Sequence, residues 1–287
     1  MPEVNIVVGT HGRDRIVDLV ERATETKQRI NAVSPIAPVR EYEEIAATFA
    51  EGRTRAIIKV QDGCNEYCSY CQIPRARGRS RSRSPERVLQ EAQMLIGEGF
   101  REIVLTGVHL GTYGSDLEEA VSLATLLRSV ADLPGLMRLR ISSVDPHEIT
   151  RELVEVIAEN HVICRHLHIP AQAGDDEILR AMRRRNSVSE YRQLVETLRR
   201  AMPNLAITTD IIVGFPGETE ASFDRTYEFC AEMAFSKIHV FPYSRRARTR
   251  AATLPNQVSS DEKRERTQRL LALSEASALA YHQSFVG

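Results

Sequence analysis

The stretch Ala56-Ile57-Ile58-Lys59-Val60-Gln61-Asp62-Gly63-Cys64-Asn65-Glu66-Tyr67-Cys68-Ser69-Tyr70-Cys71 decides how the rest of the chain is read. Its first five residues are an apolar, β-branched run that predicts a strand, the first of a larger sheet. Three cysteines follow at spacings of four and then three residues. Three thiolates hold three irons of a four-iron, four-sulfur cluster, whose full ligation takes four cysteines. The fourth iron is then open, and an open coordination position separates a catalytic metal site from a closed structural one. Its natural occupant is a small chelating ligand. A zinc site and free thiols are the competing readings; structural zinc takes four ligands, usually as two paired half-sites, and the sequence holds no second pair.

Outward from that stretch, residues 102–107, 137–142, 165–169, 206–213 and 237–243 are rich in Ile, Val or Leu. Several read apolar on both faces, the pattern of a buried parallel strand. Helices fill the gaps. Ser84-Pro85-Glu86 sets an N-cap serine before a proline at the first helical position, and Ser187-Val188-Ser189-Glu190 is a capping box. Val88, Leu89, Ala92, Leu95 and Ile96 give the first of these helices one apolar face. Six strand–helix units predict an α/β fold, a six-unit (β/α)6 partial barrel with one parallel sheet and helices outside, short of the eight units of a closed barrel.

Ahead of the barrel, residues 5–9 read as a short strand ending in glycine and residues 13–23 as an amphipathic helix with Ile16, Leu19 and Val20 on one face. Ser34-Pro35-Ile36-Ala37-Pro38 then breaks the pattern. Residues 1–50 are accordingly expected to be the remnant of a small α/β domain plus a linker, and residues 51–258 the barrel. Residues 259–287 are expected to hold a helix from Ser260 to about Gln283, charged at its start, that packs across the barrel or toward a further domain.

A chain of 287 residues with 42% hydrophobic content buries a large core in one main domain. The net charge of −1 gives no global attraction to nucleic acid, so RNA binding must come from segregated charge. Five cysteines, three of them in one loop, argue against a disulfide framework and for a reducing compartment. With no signal peptide and no apolar stretch long enough to span a bilayer, a cytoplasmic, soluble protein without a membrane partner is expected.

Ligands of parallel α/β folds sit at the carboxyl ends of the strands, where loops and helix N-termini converge. Cys64, Cys68 and Cys71 belong there as metal ligands, and the other strand ends then hold the cofactor. Gly107 closes the second strand, where a glycine admits a ligand to the backbone, an ordinary tight turn being the equal alternative. Gln172 ends the fourth strand. Asp210, inside an apolar strand, is costly to bury unpaired and should meet a ribose hydroxyl or a basic side chain. Gly214 and Gly217 allow an adenine or a backbone to come close. His166 and His168 read as hydrogen-bonded core residues, Cys164 and Cys230 as small buried ones. Arg75, Arg77, Arg79, Arg81 and Arg83, and again Arg245, Arg246, Arg248 and Arg250, follow strand ends and predict a basic rim suited to phosphates, with solvated loops as the alternative. Arg183 to Arg185 read as basic residues favoured at a helix C-terminus.

Together these residues resemble the radical S-adenosylmethionine (SAM) methylthiotransferases. The resemblance rests on Gln61 to Cys64, Cys71 to Gly78, Ile103 to Val108, His166 to Gly174, Thr209 to Thr219 and His239 to Ser244. Gln61-Asp62-Gly63 and Arg79-Ser80-Arg81-Ser82-Arg83 are similar to the branch that acts on N6-threonylcarbamoyladenosine in tRNA. The resemblance implies a methylthio group added to C2 of the modified anticodon-loop adenosine. It implies a [4Fe-4S] cluster on Cys64, Cys68 and Cys71, whose reduced form cleaves SAM to a 5′-deoxyadenosyl radical. Gly107, Gln172, Asp210 and Gly214 would then contact SAM. It further implies a second [4Fe-4S] cluster on three cysteines of an N-terminal domain, tRNA as partner, and an electron donor. No cysteine precedes Cys64, and Arg248 and Arg250 stand where the family has glycine and proline. The expectation is radical formation without methylthiolated product from these residues alone. Another tRNA adenosine, a ribosomal protein, or a catalytically silent RNA-binding module are the alternatives.

Overall fold

The computed structural model describes residues 3–45 and 52–286. Near the N-terminus, strands Ile6–Val8 (β1) and Ile30–Ala32 (β2) pair in parallel and are joined through helix Ile16–Thr26 (α1). The strand and helix expected there are present; β2, three residues long, lacks a sequence pattern of its own. The expected boundary between residues 50 and 51 lies outside the described residues. Next come strand Ala56–Asp62 (β3), helix Ile73–Arg77 (α2), strand Arg81–Ser82 (β4), helix Pro85–Gly97 (α3) and strand Glu102–Gly107 (β5). Helix Leu123–Ala131 (α4), strand Arg138–Ile141 (β6), helix Arg151–Glu159 (α5) and strand His166–His168 (β7) follow. Helices Asp176–Met182 (α6) and Val188–Ala201 (α7) lead to strand Ala206–Val213 (β8). Helix Glu220–Met233 (α8), strand Lys237–Pro242 (β9) and helix Ser260–Gln283 (α9) complete the chain.

The helices start where side-chain oxygens meet otherwise orphaned backbone N–H groups. Ser84 accepts from Arg87 N at the start of α3, and reciprocal capping boxes open α7 (Ser187, Glu190) and α9 (Ser259, Glu262).

Strands β3, β5, β6, β7, β8 and β9 run parallel, as the partial barrel requires, with β4 added antiparallel on the outer edge of β3. One continuous ladder was expected; instead it divides into β4-β3-β5-β6 and β7-β8-β9. The halves are joined by single bridges, Leu139 with Ile163 and Ser143 with His168.

The strands also differ from the expectation of two apolar faces. Successive side chains alternate across a strand, and Ile58, Val60, Ile103, Leu105, Leu139, Leu167, Ile207, Ile211 and Ile238 are buried in the core that they share with the helices. Many of the residues between them are polar: Glu102 meets Arg138 and Arg140, and His166, His168, Thr208 and Asp210 line up beside one another. The inner face of the barrel is therefore a hydrogen-bonded surface.

Helix α9 packs along β9 and α8, at the far edge of the sheet, rather than across the barrel. Leu270 is fully buried, and Ser274 Oγ bonds both N–H and C=O of Ile238. No helix among the described residues is long and apolar enough to cross a membrane.

Candidate cluster and cofactor site

The cysteine loop leaves the carboxyl end of β3 through Gly63, whose φ of +75° lies in the left-handed region. A Cβ there would stand 1.9 Å from the carbonyl oxygen of Arg79, so only glycine fits. Cys64 N donates to Gly78 O at 3.1 Å, closing the loop against α2. Gln61, fully buried, ties the loop from beneath. Its Nε2 donates to Asp62 O (3.0 Å), Gly63 O (2.8 Å) and Ser80 Oγ (2.9 Å), and its Oε1 accepts from His109 N (2.7 Å). Asp62 is surrounded by Lys59 (2.5 Å), Arg77 (3.2 Å) and Arg81 (3.7 Å). Burial works against its charge, yet Lys59, the Gly63 N–H and Arg77 hold its carboxyl below the usual carboxylate range.

All three thiols receive a donor. Glu66 N points at Cys64 Sγ (3.4 Å), Ile73 N at Cys71 Sγ (3.4 Å) and Arg184 Nη1 at Cys68 Sγ (3.9 Å). Burial pushes the Cys68 and Cys71 thiols above the ordinary range, and a neighbouring cysteine adds to it in each case. Three half-buried thiols, each with an N–H aimed at its sulfur, fit a metal cluster, because coordination to a cation deprotonates thiols such as Cys68 and Cys71 that burial keeps neutral. Cys164 and Cys230 stand in other parts of the fold, half-buried and buried respectively, and neither has a part in this loop.

Beneath the loop lies a group of charges that periodicity does not reveal. Arg184, just past α6, clamps Asp145 with Nη2 at 2.5 Å and Nη1 at 3.2 Å. His109 Nε2 lies 2.7 Å from Glu148 and 3.4 Å from Asp145. Burial disfavours the imidazolium, but Asp145, Cys64 and Glu148 outweigh it and hold the His109 pKa well above the ordinary value. Arg185 pairs with Glu66 at 2.8 Å. Arg183 to Arg185 do follow the C-terminus of α6, with Arg183 its C-cap, but Arg184 and Arg185 also make side-chain contacts to the cysteine loop. The only sequence signal was that Asp145 and Glu148 directly follow a strand end.

The expected cofactor residues fall in different settings. Gln172, at φ +70°, lines a cavity of about 630 Å³ beside Cys71, together with Ile212, Phe241 and Arg246. Asp210 finds a basic side chain, His168 Nε2 at 3.2 Å, while His168 Nδ1 meets Thr208 Oγ1 at 2.9 Å. At Gly107 the close neighbour is Gln61, 3.0 Å from where a Cβ would be, so packing of the turn explains this glycine. Gly214, at φ +69°, faces Lys263, and its N–H donates to Glu218 Oε1 at 2.7 Å. The basic rim needs the same sorting. Arg81 and Arg83 are buried, Arg81 against Asp62 and Arg83 against Glu44 and Glu91, so they brace the edge of the sheet. Arg75, Arg183, Arg248 and Arg250 do converge, on a small cleft lined by Cys68 and Cys71.

Parallel strands in a partial barrel, with three thiols at the carboxyl end of the first and a cofactor-sized cavity beside them, define an iron–sulfur class of α/β enzyme fold. The chain belongs to the radical SAM superfamily, whose pattern matches residues 58–230. That superfamily implies a [4Fe-4S] cluster and SAM. The chain is 44% identical over 286 residues to the threonylcarbamoyladenosine tRNA methylthiotransferase MtaB of Bacillus subtilis, covering 99% of this chain and 63% of the relative. It is 38% identical to the tRNA-2-methylthio-N(6)-dimethylallyladenosine synthase of Desulfitobacterium hafniense, again covering 63% of that protein. The chain thus spans about three-fifths of the length of these relatives. Among solved structures, the radical SAM methyltransferase TsrM of Kitasatospora setae superposes with a TM-score of 0.58 at 19% identity over 69% of this chain and 38% of that one. Coproporphyrinogen III oxidase of Escherichia coli, also a radical SAM enzyme, gives 0.53 at 19% identity, over 78% of this chain and 52% of that one. At these identities the likeness concerns the fold.

Proposed function

We propose that these residues form the radical SAM core of a tRNA methylthiotransferase acting at C2 of N6-threonylcarbamoyladenosine in the anticodon loop. The observation that carries this reading is the 44% identity to the Bacillus subtilis enzyme along 99% of the chain. It is supported by the thiol loop, the adjoining cavity and the arginine-lined cleft meeting at one end of the barrel. Cys64, Cys68 and Cys71 hold the cluster, and the cavity beside Cys71 seats SAM, with Gln172 as a polar contact at its wall. Bound there, the cluster and SAM supply a 5′-deoxyadenosyl radical. Ile212 and Phe241 give the cavity apolar walls that limit water. Arg75, Arg248 and Arg250, on its neighbour cleft, attract RNA phosphates. Asp210, paired with His168, and the loop of Gly214 stand as further cofactor contacts; Gly107 serves the turn.

Residues 1–50 act as the end of a preceding domain with its linker, 51–258 as the barrel, and 259–287 as a helix leading toward an RNA-binding domain, all in the cytoplasm. The complete reaction draws on an electron donor and, for sulfur insertion, a second [4Fe-4S] cluster. Cys164, just before β7, and Cys230, on α8, have no third cysteine outside the thiol loop to complete such a site, so radical formation is the step assigned to these 287 residues. Anaerobic reconstitution should give about four irons and four sulfides per chain, and strong reductant with SAM should release 5′-deoxyadenosine. Modified tRNA added to the same mixture, digested and examined by mass spectrometry, should lack new methylthio nucleoside. Stoichiometric zinc without sulfide, or a fully loaded chain that releases no 5′-deoxyadenosine, refutes the proposal.

A further inference from the structure

The geometry points to Arg184, oriented by Asp145, as a positioning residue that sets the reduction potential of the cluster through its contact with Cys68. This inference rests on the reading of Cys64, Cys68 and Cys71 as cluster ligands.

Arg184 aims an N–H at the sulfur of Cys68, while His109 is the cation set against Cys64. The Arg184 side chain is 6% exposed, so water screens it little. Asp145 fixes the guanidinium with a two-point clamp, and Pro170 O accepts from Nη2 at 3.3 Å, which leaves Nη1 facing Cys68 Sγ. Both clamp partners arrive from elsewhere in the fold: Asp145 follows β6, and Pro170 follows β7. Ser69, next to Cys68, is held to the same helix end, its N donating to Met182 O (2.9 Å) and its Oγ to Ala181 O (2.8 Å). Backbone and side chain thus hold Cys68 and Arg184 in fixed register.

Hydrogen bonds to cluster sulfurs and the local net charge are two of the terms that set an iron–sulfur potential. One-electron reduction adds one negative charge to the cluster. A guanidinium beside a ligating sulfur stabilises the reduced form over the oxidised one and so raises the potential. The carboxylate of Asp145 opposes this, while also aiming the donor. Charge and orientation can therefore be separated by substituting the partners one at a time.

The test is an anaerobic redox titration of the reconstituted full chain, followed by electron paramagnetic resonance, after iron and sulfide have been counted. Arg184→Gln should lower the midpoint potential by a tenfold or larger change in the reduction equilibrium, about 59 mV for one electron. Arg184→Lys, which keeps the charge without the fork, should recover part of it. Asp145→Asn, which removes the opposing charge while Pro170 still holds the guanidinium, should raise the potential. Potentials equal to wild type in Arg184→Gln and Asp145→Asn chains carrying full iron and sulfide overturn the inference. Should Arg184→Gln fail to load, the Asp145→Asn and Arg184→Lys chains decide by the same measurement. A wild-type chain that holds no cluster refutes the underlying reading instead, and the iron and sulfide count reveals it before any potential is measured.

Discussion

Replacing Gly63 with alanine isolates what the glycine before Cys64 does. Two costs arise together. An L-residue in the left-handed region costs about 1–2 kcal/mol, and Gly63 has φ +75°. The new methyl would also meet Arg79 O at 1.9 Å, Arg79 C at 2.5 Å and Gly78 O at 2.8 Å. All three are backbone atoms, so no side chain can swing aside, and relief needs a shift of an ångström or more. That shift separates Cys64 N from Gly78 O and loosens the pairing of Asp62 with Arg81. Forced overpacking of this kind costs about 1–3 kcal/mol, for a total of about 2–5 kcal/mol. Gly99 supplies the control, since its φ is +98° but nothing lies within 4 Å of a Cβ there. Gly99→Ala should show only the backbone cost of about 1–2 kcal/mol and bind a full complement of iron. The assay is urea unfolding of the reduced apoprotein by far-UV circular dichroism, paired with iron and sulfide counts after reconstitution. Gly63→Ala should be the less stable variant and should bind iron substoichiometrically. Equal stability of the two variants, with a full cluster in both, refutes the reasoning.

Gln61→Leu keeps the volume but strands the His109 N–H and weakens the ties to Gly63 O and Ser80; at about 1–3 kcal/mol per unsatisfied buried group, urea titration should find it less stable by that amount or more. Arg266→Met leaves Glu218, 2% exposed, without its 2.8 Å partner, and should cost about 3–5 kcal/mol by the same measurement. The hydrogen bond from Arg140, with further help from Arg138 and against burial, holds the Glu102 carboxyl below its usual range. Its folded pKa is thus lower than its unfolded one, so its contribution is complete above the unfolded value of about 4.3 and fades as pH falls through the lower folded value. Stability measured against pH should therefore show wild type and Glu102→Gln converging in acid and separated by a constant gap near neutrality.

Much of the architecture was legible because it is written locally. The strand starts coincide with β-branched runs, and Ser84 and Ser187 cap the helices that their spacing to Pro85 and Glu190 announces. The three cysteines are adjacent in the chain, so the loop could be read without the fold. What escaped depends on contacts between distant segments. Arg184 meets Asp145 across 39 residues, and nothing near either one distinguishes it from a solvated charge. Arg81 and Arg83 looked like rim residues because a run of alternating arginines is usually exposed; β4 and the residue that follows it turn both inward onto carboxylates from β3, α3 and the linker. The inner face of the barrel was misread for a related reason. Thr208 and Asp210 interrupt a hydrophobic strand, and only the pairing of β7 with β8 shows that His166 and His168 stand beside them.

The two sides of the site are held by different means. On the β3 side the constraint is polar and short-ranged: Gln61, Asp62 and Arg184 fix the thiol loop with hydrogen bonds and ion pairs among residues that are nearly all buried. On the β8 side the constraint arrives from the end of the chain. Gly214 N donates to Glu218 Oε1 at 2.7 Å, and the same oxygen accepts from Arg266 Nη1 of α9 at 2.8 Å. Lys263, one turn earlier on α9, fills the space that a side chain at Gly214 would need, and its ammonium sits 5.2 Å from the Tyr243 ring centroid. Burial raises the Glu218 pKa, so the carboxylate depends on Arg266 to stay charged and keep accepting from Gly214. The last helix is therefore a wall of the β8 loop. Its charged first turns contain the two cations that hold the Gly214 turn in place.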